Sequence, residues 1–282
     1  MIIQYENKVL SNLLLYLDHM VLSKGLAFSN HTSYFYPTQS TISDSVYNYS
    51  APFKQLVFDA SITGANILTK VKVDGVDTPV GQGGLVGINH NDGTVRFNQQ
   101  IAGANRISGD YAIKDFNFYF TNKEESTILF EEKIHLRPKT HEVQVGLPQN
   151  AITYPCIFVK SMFGENKPFA FGGIDQTEIQ VRLIALADSL FLIDAVCSIL
   201  KDLNLNKFSF IESLNPFNAY GDYIGAPFNY DNLVNLLNPI NCAIINRVSV
   251  SKNINKNFNN VNKEIHAAFI DLEVIEIRKP RQ

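Results

Sequence analysis

The sequence predicts a β-rich α+β protein: an N-terminal helix, an antiparallel β-sandwich-like domain, and then an α+β domain with a helix packed on a sheet. Apolar residues recur at helical spacing near the N-terminus, and short alternating segments separated by Gly, Asn and Asp follow between residues 55 and 136. Beyond residue 138 the pattern changes to clean alternation and one amphipathic helix. With 45% hydrophobic and 18% charged residues among 282, the chain can bury a sizeable core.

The first part of the chain, residues 1–50, is predicted to hold one helix and an extended arm. The helix covers residues 7–23, and Gly25 stands where a C-terminal cap is expected. The side chains at helical spacing are Val9, Leu13, Tyr16 or Leu17, and Met20. Residues 29–50 are rich in Ser, Thr, Tyr and Asn and have weak periodicity, which indicates an extended arm.

The second part, residues 51–138, is predicted to be the β-sandwich-like domain. Residues 71–75 form a strand that enters a turn, and residues 91–97 form a hairpin turn that enters a strand. Asp-Gly suits both turns because the favoured hairpin turns need φ > 0. Three aromatic residues with period-two spacing are expected on one face of a later strand: Phe116, Phe118 and Phe120.

The third part, residues 139–282, is predicted to be the α+β domain. A short buried strand is expected at residues 154–159, and an alternating strand at residues 178–184. Two further strands are expected near residues 243–251 and 265–277. The residues expected to point inward are Ile179, Val181, Leu183, Ile270, Leu272 and Val274.

One amphipathic helix is predicted between these strands. Asp188 or Ser189 caps its start, and it ends near Asp202. Its apolar face consists of Leu190, Ile193, Val196, Cys197 and Leu200. A helix with one apolar face next to an alternating strand predicts a helix packed on a sheet.

The Asn-rich segment 252–263 is predicted to be a solvated hairpin tip, because Asn is common in turns and depleted in strands. As an alternative, the tip orders against a neighbouring subunit, with Ile254 and Phe258 as its apolar anchors.

Four Pro-Phe pairs are predicted to lie in loops that place the Phe in a core, because proline fixes φ and removes a donor. They are residues 52–53, 168–169, 216–217 and 227–228. The third pair opens a loop, residues 216–223, whose aromatic residues lie beside Asn and Gly. This composition also suits a binding loop.

The composition excludes several classes of protein. A net charge of −3 gives no nucleic-acid-binding footprint at the level of the whole chain.

Cys156, Cys197 and Cys242 are far apart and flanked by apolar residues, which predicts buried free thiols in a reducing cytoplasm. The N-terminus lacks the features of a signal peptide. Apolar stretches such as residues 13–16 and 190–193 are too short to span a bilayer, so a soluble protein is expected.

Motifs that carry chemistry are missing, so no catalytic, cofactor-binding or metal-ligating residue is predicted. The six histidines form no H-x-x-x-H or H-E-x-x-H pair, and no G-x-S-x-G elbow occurs. The Gly-rich residues 81–87 lack the Lys-Ser/Thr of a phosphate loop. Asp18 and His19 on the first helix have no catalytic partner nearby in the sequence. Acid–base catalysis needs two groups that converge in space, and residues distant in the sequence can supply the second group.

A family pattern runs through the third part of the chain. A Tyr-Pro strand at residues 154–159 is followed by Gly172-Gly173, an alternating strand at residues 178–186, and a helix at residues 188–200 with Asp at its start. In this order the segments resemble the tail-terminator and neck proteins of tailed bacteriophages. Residues 103–111 are also similar in style to phage virion structural proteins. The chain differs from the terminator pattern in having a β-domain in front.

The resemblance implies a structural ring subunit of the virion at the head–tail junction, acting as a neck, connector or tail-terminator protein. Such a subunit is made in the host cytoplasm and binds copies of itself and the adjacent connector and tail proteins. DNA passes through the ring without specific binding, and no enzyme activity, cofactor or membrane is involved. Ring subunits join one patch to a different patch of the next copy, and strand addition by arms and tips can supply the contact. The candidate inter-subunit contacts are Tyr34, Tyr36, Ile254, Phe258 and Asn260.

Two other functions fit the same sequence. The first is a receptor- or glycan-binding tail or baseplate protein, in which Tyr- and Asn-rich loops such as residues 216–230 hold a sugar. The second is an enzyme whose site is assembled from distant residues. An oligomeric ring would favour the structural function, glycan binding the first alternative, and turnover lost on one carboxylate substitution the second.

Overall fold

A computed structural model describes residues 5–38, 46–103, 106–136, 151–170, 173–211, 216–218, 223–235, 242–252 and 265–278. The protein is β-rich, with an N-terminal helix, several antiparallel sheets and one sheet curled into a half-barrel, which confirms the broad fold class. The helices in the described ranges are α1 (Tyr5–Gly25), α2 (Glu125–Phe130), α3 (Leu190–Lys201) and α4 (Tyr230–Asn235). The strands are β1 (Phe28–Tyr34), β2 (Tyr36–Pro37), β3 (Tyr47–Ser50), β4 (Lys70–Val73), β5 (Val76–Pro79), β6 (Leu85–Asn89), β7 (Thr94–Phe97), β8 (Ile107–Lys114), β9 (Asn117–Phe120), β10 (Ile134–His135), β11 (Ile152–Thr153), β12 (Cys156–Ala170), β13 (Ile174–Ala187), β14 (Lys207–Ser209), β15 (Cys242–Lys252) and β16 (His266–Arg278).

Two four-stranded sheets form in the first half of the chain, with strand orders β1-β8-β4-β5 and β2-β3-β7-β6. Both contribute to one buried apolar cluster, which includes Phe35, Tyr49, Val71, Leu85, Val95, Phe97 and Tyr111. The alternation read from the sequence follows from this burial, because residues two apart on a strand share one face.

The described part of the segment predicted to be an extended arm is instead built into these sheets. Every residue of β1 pairs with β8, from Phe28 opposite Lys114 to Tyr34 opposite Ser108, and β3 pairs with both β2 and β7. The polar composition is compatible with pairing because several β1 side chains face solvent while the backbone groups satisfy one another. The described residues of the predicted extended arm are therefore extended, but as strands within sheets.

Both turns predicted from Asp-Gly pairs are present. Asp74 and Gly75, between β4 and β5, have φ of 52° and 81°, as a two-residue hairpin turn with two positive φ angles requires. Gly93 lies between β6 and β7 with a φ of 63°. A Cβ at residue 93 would lie 2.3 Å from the carbonyl oxygen of Phe53, so this turn needs glycine for space as well as for φ.

Gly93→Ala should therefore lower the free energy of unfolding by more than about 1 kcal/mol, because alanine is strained at positive φ and its methyl group would meet a backbone carbonyl. Gly87→Ala is the matched control, since no atom lies within 4 Å of a Cβ there. Because the chain has no Trp, urea unfolding is best followed by far-UV circular dichroism. Equal stability of the two variants would contradict the close approach at Gly93.

The three aromatic residues expected on one strand face are divided between two environments. Phe116 lies in a bend between β8 and β9, and Phe118 lies on β9; both are buried, whereas Phe120 is 42% exposed. β9 does not continue the first-half sheets but pairs in parallel with β12, from Asn117 opposite Cys156 to Phe120 opposite Val159. Phe118 and Phe120 are two residues apart on β9 and therefore share a face as predicted, but Phe120 is exposed because it lies where this pairing ends.

The second half of the chain forms a six-stranded sheet in the order β14-β15-β16-β13-β12-β9. Two long strands of this sheet, β12 with 15 residues and β13 with 14, form a hairpin. β13 pairs with β16 from Asp175 to Ala187, and β16 pairs with β15. The inward-facing residues predicted on β13 and β16 are all buried in one cluster, namely Ile179, Val181, Leu183, Ile270, Leu272 and Val274.

The same cluster contains side chains from α1 and α3. Ile193, Val196 and Leu200 of α3 are buried as predicted, but Leu190 is 49% exposed because it lies in the first turn, where the buried face ends. Gly25 ends α1, and a Cβ there would lie 2.6 Å from Cδ1 of Ile199. The residue with positive φ is Leu26, so Gly25 serves the close approach of α3 rather than a left-handed cap.

Candidate functional site

The outer half of β12 is a strand edge without a neighbour among the described residues. β9 pairs with β12 only from Cys156 to Val159, and the ladder ends where the Thr121 N–H donates to the Val159 carbonyl oxygen at 3.0 Å. β12 continues for eleven residues to Ala170, paired there with β13 alone. Residues 160–170 therefore offer unpaired N–H and C=O groups, which form a ready template for another strand.

This edge also carries exposed apolar side chains. Met162, Phe163 and Phe169 are all exposed, Phe163 by 58% and Phe169 by 54%. Three large apolar side chains exposed along one free strand are a feature that an interaction with a partner would cover. Phe169 belongs to a Pro-Phe pair predicted to lie in a core; that prediction was wrong here, whereas Phe53, Phe217 and Phe228 are buried.

A groove of about 470 Å³ lies beside the first part of this edge. Its walls are the first turns of α1 with the segment that follows β9, and its floor is β12; the lining residues include Leu10, Ser11, Thr121, Lys160 and Ser161. The groove thus begins where β9 ends, and a chain entering it would meet the free backbone of β12.

The sequence-predicted contact residues are only partly brought to a surface. Tyr34 ends β1 and is 42% exposed, whereas Tyr36 is buried at 8% exposure and packs within the protein. The structure therefore favours Tyr34 over Tyr36 as a surface contact. Ile254, Phe258 and Asn260 lie outside the described residues, and their role as tip anchors stays a prediction.

A second notable feature is a buried ion pair that joins α1 to β8. The Lys114 ammonium donates to Oδ2 of Asp18 at 2.7 Å, and both side chains are 3% exposed. Lys114 also lies over the ring of Phe58, with Nζ 4.5 Å from the centroid. Burial raises the pKa of Asp18 above its ordinary value, and the charge of Lys114 opposes this shift.

A histidine–carboxylate contact lies on the next residue of α1. His19 Nδ1 is 2.7 Å from Oδ2 of Asp59, and its ring stacks on Tyr230 with centroids 4.3 Å apart. Oδ1 of Asp59 accepts hydrogen bonds from the Ser61 hydroxyl and from the backbone N–H groups of Ser61 and Tyr230. Burial alone would raise the pKa of Asp59, but these hydrogen bonds outweigh burial and hold the pKa below its ordinary value.

These buried contacts stabilise the fold. Both oxygens of Asp59 are occupied within the chain, and the Asp18–Lys114 pair is inaccessible to a substrate. Within the described ranges, no group of three or more His, Cys, Asp or Glu side chains is placed to hold a metal ion. Cys156 and Cys197 are buried free thiols as predicted, and Cys242 is a free thiol of intermediate exposure. None of the helices described has the length and hydrophobicity that a membrane crossing requires.

The hydrogen bonds of Asp59 predict an acid-dependent loss of stability. Because its pKa is lower in the folded protein than in the unfolded chain, ionised Asp59 stabilises the fold at neutral pH. That contribution should be lost as the pH falls from about 4, the ordinary value of a free Asp, through the folded pKa. Asp59→Asn should therefore be less stable at pH 7 and show a shallower decline in acid than the wild type, measured by urea unfolding across a pH series. Asp188→Asn, at an exposed aspartate, is the control, and an unchanged pH profile for Asp59→Asn would contradict the prediction.

Neither the free edge nor the buried contacts could be found by motif. The partners Asp18 and Lys114 are 96 positions apart, and His19 and Asp59 are 40 apart. A comparison with known protein families and with curated proteins finds no match to this chain.

Proposed function

We propose that this protein is a structural ring subunit of a tailed-bacteriophage virion, located at the head–tail junction as a neck, connector or tail-terminator protein. It joins the head or connector to the tail, after synthesis in the host cytoplasm. Its partners are copies of itself and the adjacent connector and tail proteins, and DNA passes through the ring without specific binding. It is not an enzyme in this proposal.

The observation that carries the proposal is the free edge of the outer half of β12, which is paired with β13 on its other side. An edge of eleven residues with exposed Met162, Phe163 and Phe169 is a liability in a protein that stays monomeric. In an assembly the same edge gives main-chain hydrogen bonds and apolar burial to a neighbour. The layered architecture supports this role: we interpret the two four-stranded sheets as a sandwich, and α3 as a helix packed on the six-stranded sheet.

The position within the virion rests on the resemblance of residues 154–200 to tail-terminator and neck proteins. The strand that begins at Cys156, the alternating β13 and the helix α3 follow one another in the order that this family pattern requires. The net charge of −3 suits a channel through which DNA slides without sticking.

The test is the oligomeric state of the purified full-length chain, followed by its presence in particles. We expect a homo-oligomer by light scattering after size exclusion, closed rings by negative-stain microscopy, and a fixed copy number per virion by quantitative mass spectrometry. A chain that is monomeric across the accessible concentration range and absent from virions would overturn the proposal. Binding of that monomer to a glycan array would favour a receptor-binding protein instead.

A further inference from the structure

We propose that the free edge of β12 in one copy pairs with the free edge of β15 in the next copy, antiparallel, so that the six-stranded sheet continues from subunit to subunit. This inference rests on the ring proposed above and names its contact. The evidence for it is a second free strand edge, that of β15, on the opposite side of the same sheet.

β15 is covered by β14 only at one end. β14 pairs with Cys242 to Ile244, and the last bonds on this side join Ile245 to Leu205 and Asn206, with N–O distances of 2.7 and 2.9 Å. Residues 246–252 of β15 extend beyond them and have no outer partner among the described residues. One sheet therefore ends in two free strand edges, one on each side.

The direction of the strands fits head-to-tail pairing. β12, β13, β16 and β15 are antiparallel in succession, so β12 and β15 run in opposite directions. A copy placed beside the first by rotation about a ring axis would present β15 antiparallel to β12, which continues the alternation. Two different edges joined in this way form a heterologous contact, and closure of such contacts gives a ring.

The hydrogen-bonding groups of β12 can be assigned from its pairing. Val159 points toward β9, and the bulge between Ser161 and Phe163 shifts the alternation by one residue. Beyond the bulge, Gly164, Asn166 and Pro168 therefore point their backbone groups away from β13.

The same argument applies to β15. Ile245 points outward to the segment before β14, and a bulge between Ile245 and Arg247 shifts the alternation. Val248, Val250 and Lys252 therefore direct their backbone groups to the free side. Each edge thus offers several outward residues at period two, as an antiparallel ladder requires.

The side chains add a charge match. Glu165 pairs across the sheet with Glu178, and Arg247 pairs with Glu273. Glu273 also faces Gln180, two residues from Glu178 on β13, so Glu165 and Arg247 lie on the same face of the sheet. Both are exposed. Glu165 Oε1 already lies 2.7 Å from Nζ of Lys167, and pairing of the two edges would bring Arg247 to the same face of the junction as a second basic side chain.

The two free segments are offset along the strands. Through the cross-strand pairs, Arg247 is level with Phe163 and Lys252 is level with Ile157, whereas the free part of β12 extends on to Ala170. The next copy must therefore be displaced along the strand direction, which a closed ring accommodates when its strands are inclined to the ring axis.

Charge reversal gives the sharpest test. Glu165→Lys and Arg247→Glu should each raise the concentration for half-assembly by about fivefold, because each places like charges at the junction. A 1:1 mixture of the two variants should assemble like the wild type, since the two introduced charges, which are opposite in sign, then face each other at every second junction and the native pair occurs at the others. Light scattering across a dilution series measures all four samples, and circular dichroism confirms that each variant is folded.

A backbone variant tests the same contact independently. Asn166→Pro removes an outward N–H that no described residue accepts, and Asn166→Ala is its matched control, since both lose the hydrogen bond that Asn166 accepts from the Thr177 hydroxyl at 2.7 Å. We expect the proline variant to lose assembly by at least about tenfold relative to the alanine variant. Wild-type rings that persist in Asn166→Pro, or single charge variants that the mixture does not rescue, would overturn the edge pairing and leave the ring proposal intact. A wild-type chain that forms no oligomer would overturn the ring itself.

Discussion

Lys114→Met should lower the free energy of unfolding by about 3–5 kcal/mol, because it leaves the carboxylate of Asp18 buried without its counter-charge. The other carboxylate oxygen of Asp18, Oδ1, already lacks a hydrogen-bond partner among the described residues. Asp18→Leu should cost a similar amount, because the ammonium of Lys114 then stays buried over the ring of Phe58.

The double variant Asp18→Leu/Lys114→Met separates loss of the pair from loss of packing. Replacement of a buried ion pair by apolar side chains is often neutral or stabilising, so we expect it to recover most of the loss. Urea unfolding of the wild type, both single variants and the double variant gives the coupling energy directly. Additive losses in this cycle would mean that the two charges act separately.

Ile193→Ala should lower the free energy of unfolding by about 2–5 kcal/mol, since it removes a buried side chain from the largest apolar cluster. The cost arises from lost burial and from the cavity that the helix α3 cannot close by moving, because Gly25 of α1 already lies against Ile199.

Phe191→Ala is the matched control for this helix, because Phe191 is 78% exposed. It should change stability by no more than about 0.5 kcal/mol. Thermal and urea unfolding by circular dichroism compare the two variants. An unchanged melting temperature for Ile193→Ala would argue that this side of α3 is not the buried one.

The elements that the sequence predicted well are those buried on a definite face. Ile179, Val181 and Leu183 on β13 and the apolar residues of α1 repeat with the period of their element because one side of each contacts the core. Leu190 and Phe120 fall outside this rule, since each lies at the end of its element where the buried face ends.

The length of β12 could not be predicted in the same way. Only residues 154–159 had an apolar pattern, whereas the strand continues to Ala170. Side chains in its outer half face solvent on both sides, so burial imposes no alternation there, and pairing with β13 alone holds the strand. The pairing of β9 with β12 could not be predicted either, because local periodicity does not indicate which strands are neighbours in a sheet.

From the sequence, only the type of interaction surface could be predicted, and not the residues that form it. Strand addition between subunits stays a prediction, and the residues predicted for it were the Asn-rich tip and the arm, whose composition is polar and irregular. The free edges of β12 and β15 lie within regular strands, and only the register of the whole sheet reveals where their neighbours stop. The buried Asp18–Lys114 and His19–Asp59 contacts were missed for a similar reason, since nothing near either residue in the sequence marks its partner.

Pro168, one of the outward-pointing residues of β12, has a consequence for the chain before assembly. Proline has no backbone N–H, so another strand that pairs along this edge lacks one hydrogen bond at residue 168. Only two residues of β12 lie beyond Pro168, so few further backbone hydrogen bonds can form there. We therefore expect Pro168 to limit open-ended stacking of newly made subunits, while the stretch from Ser161 to Lys167 stays available to a partner of the right length. We thus expect the same edge to bind a neighbouring subunit in the proposed ring and to disfavour aggregation of the newly made protein.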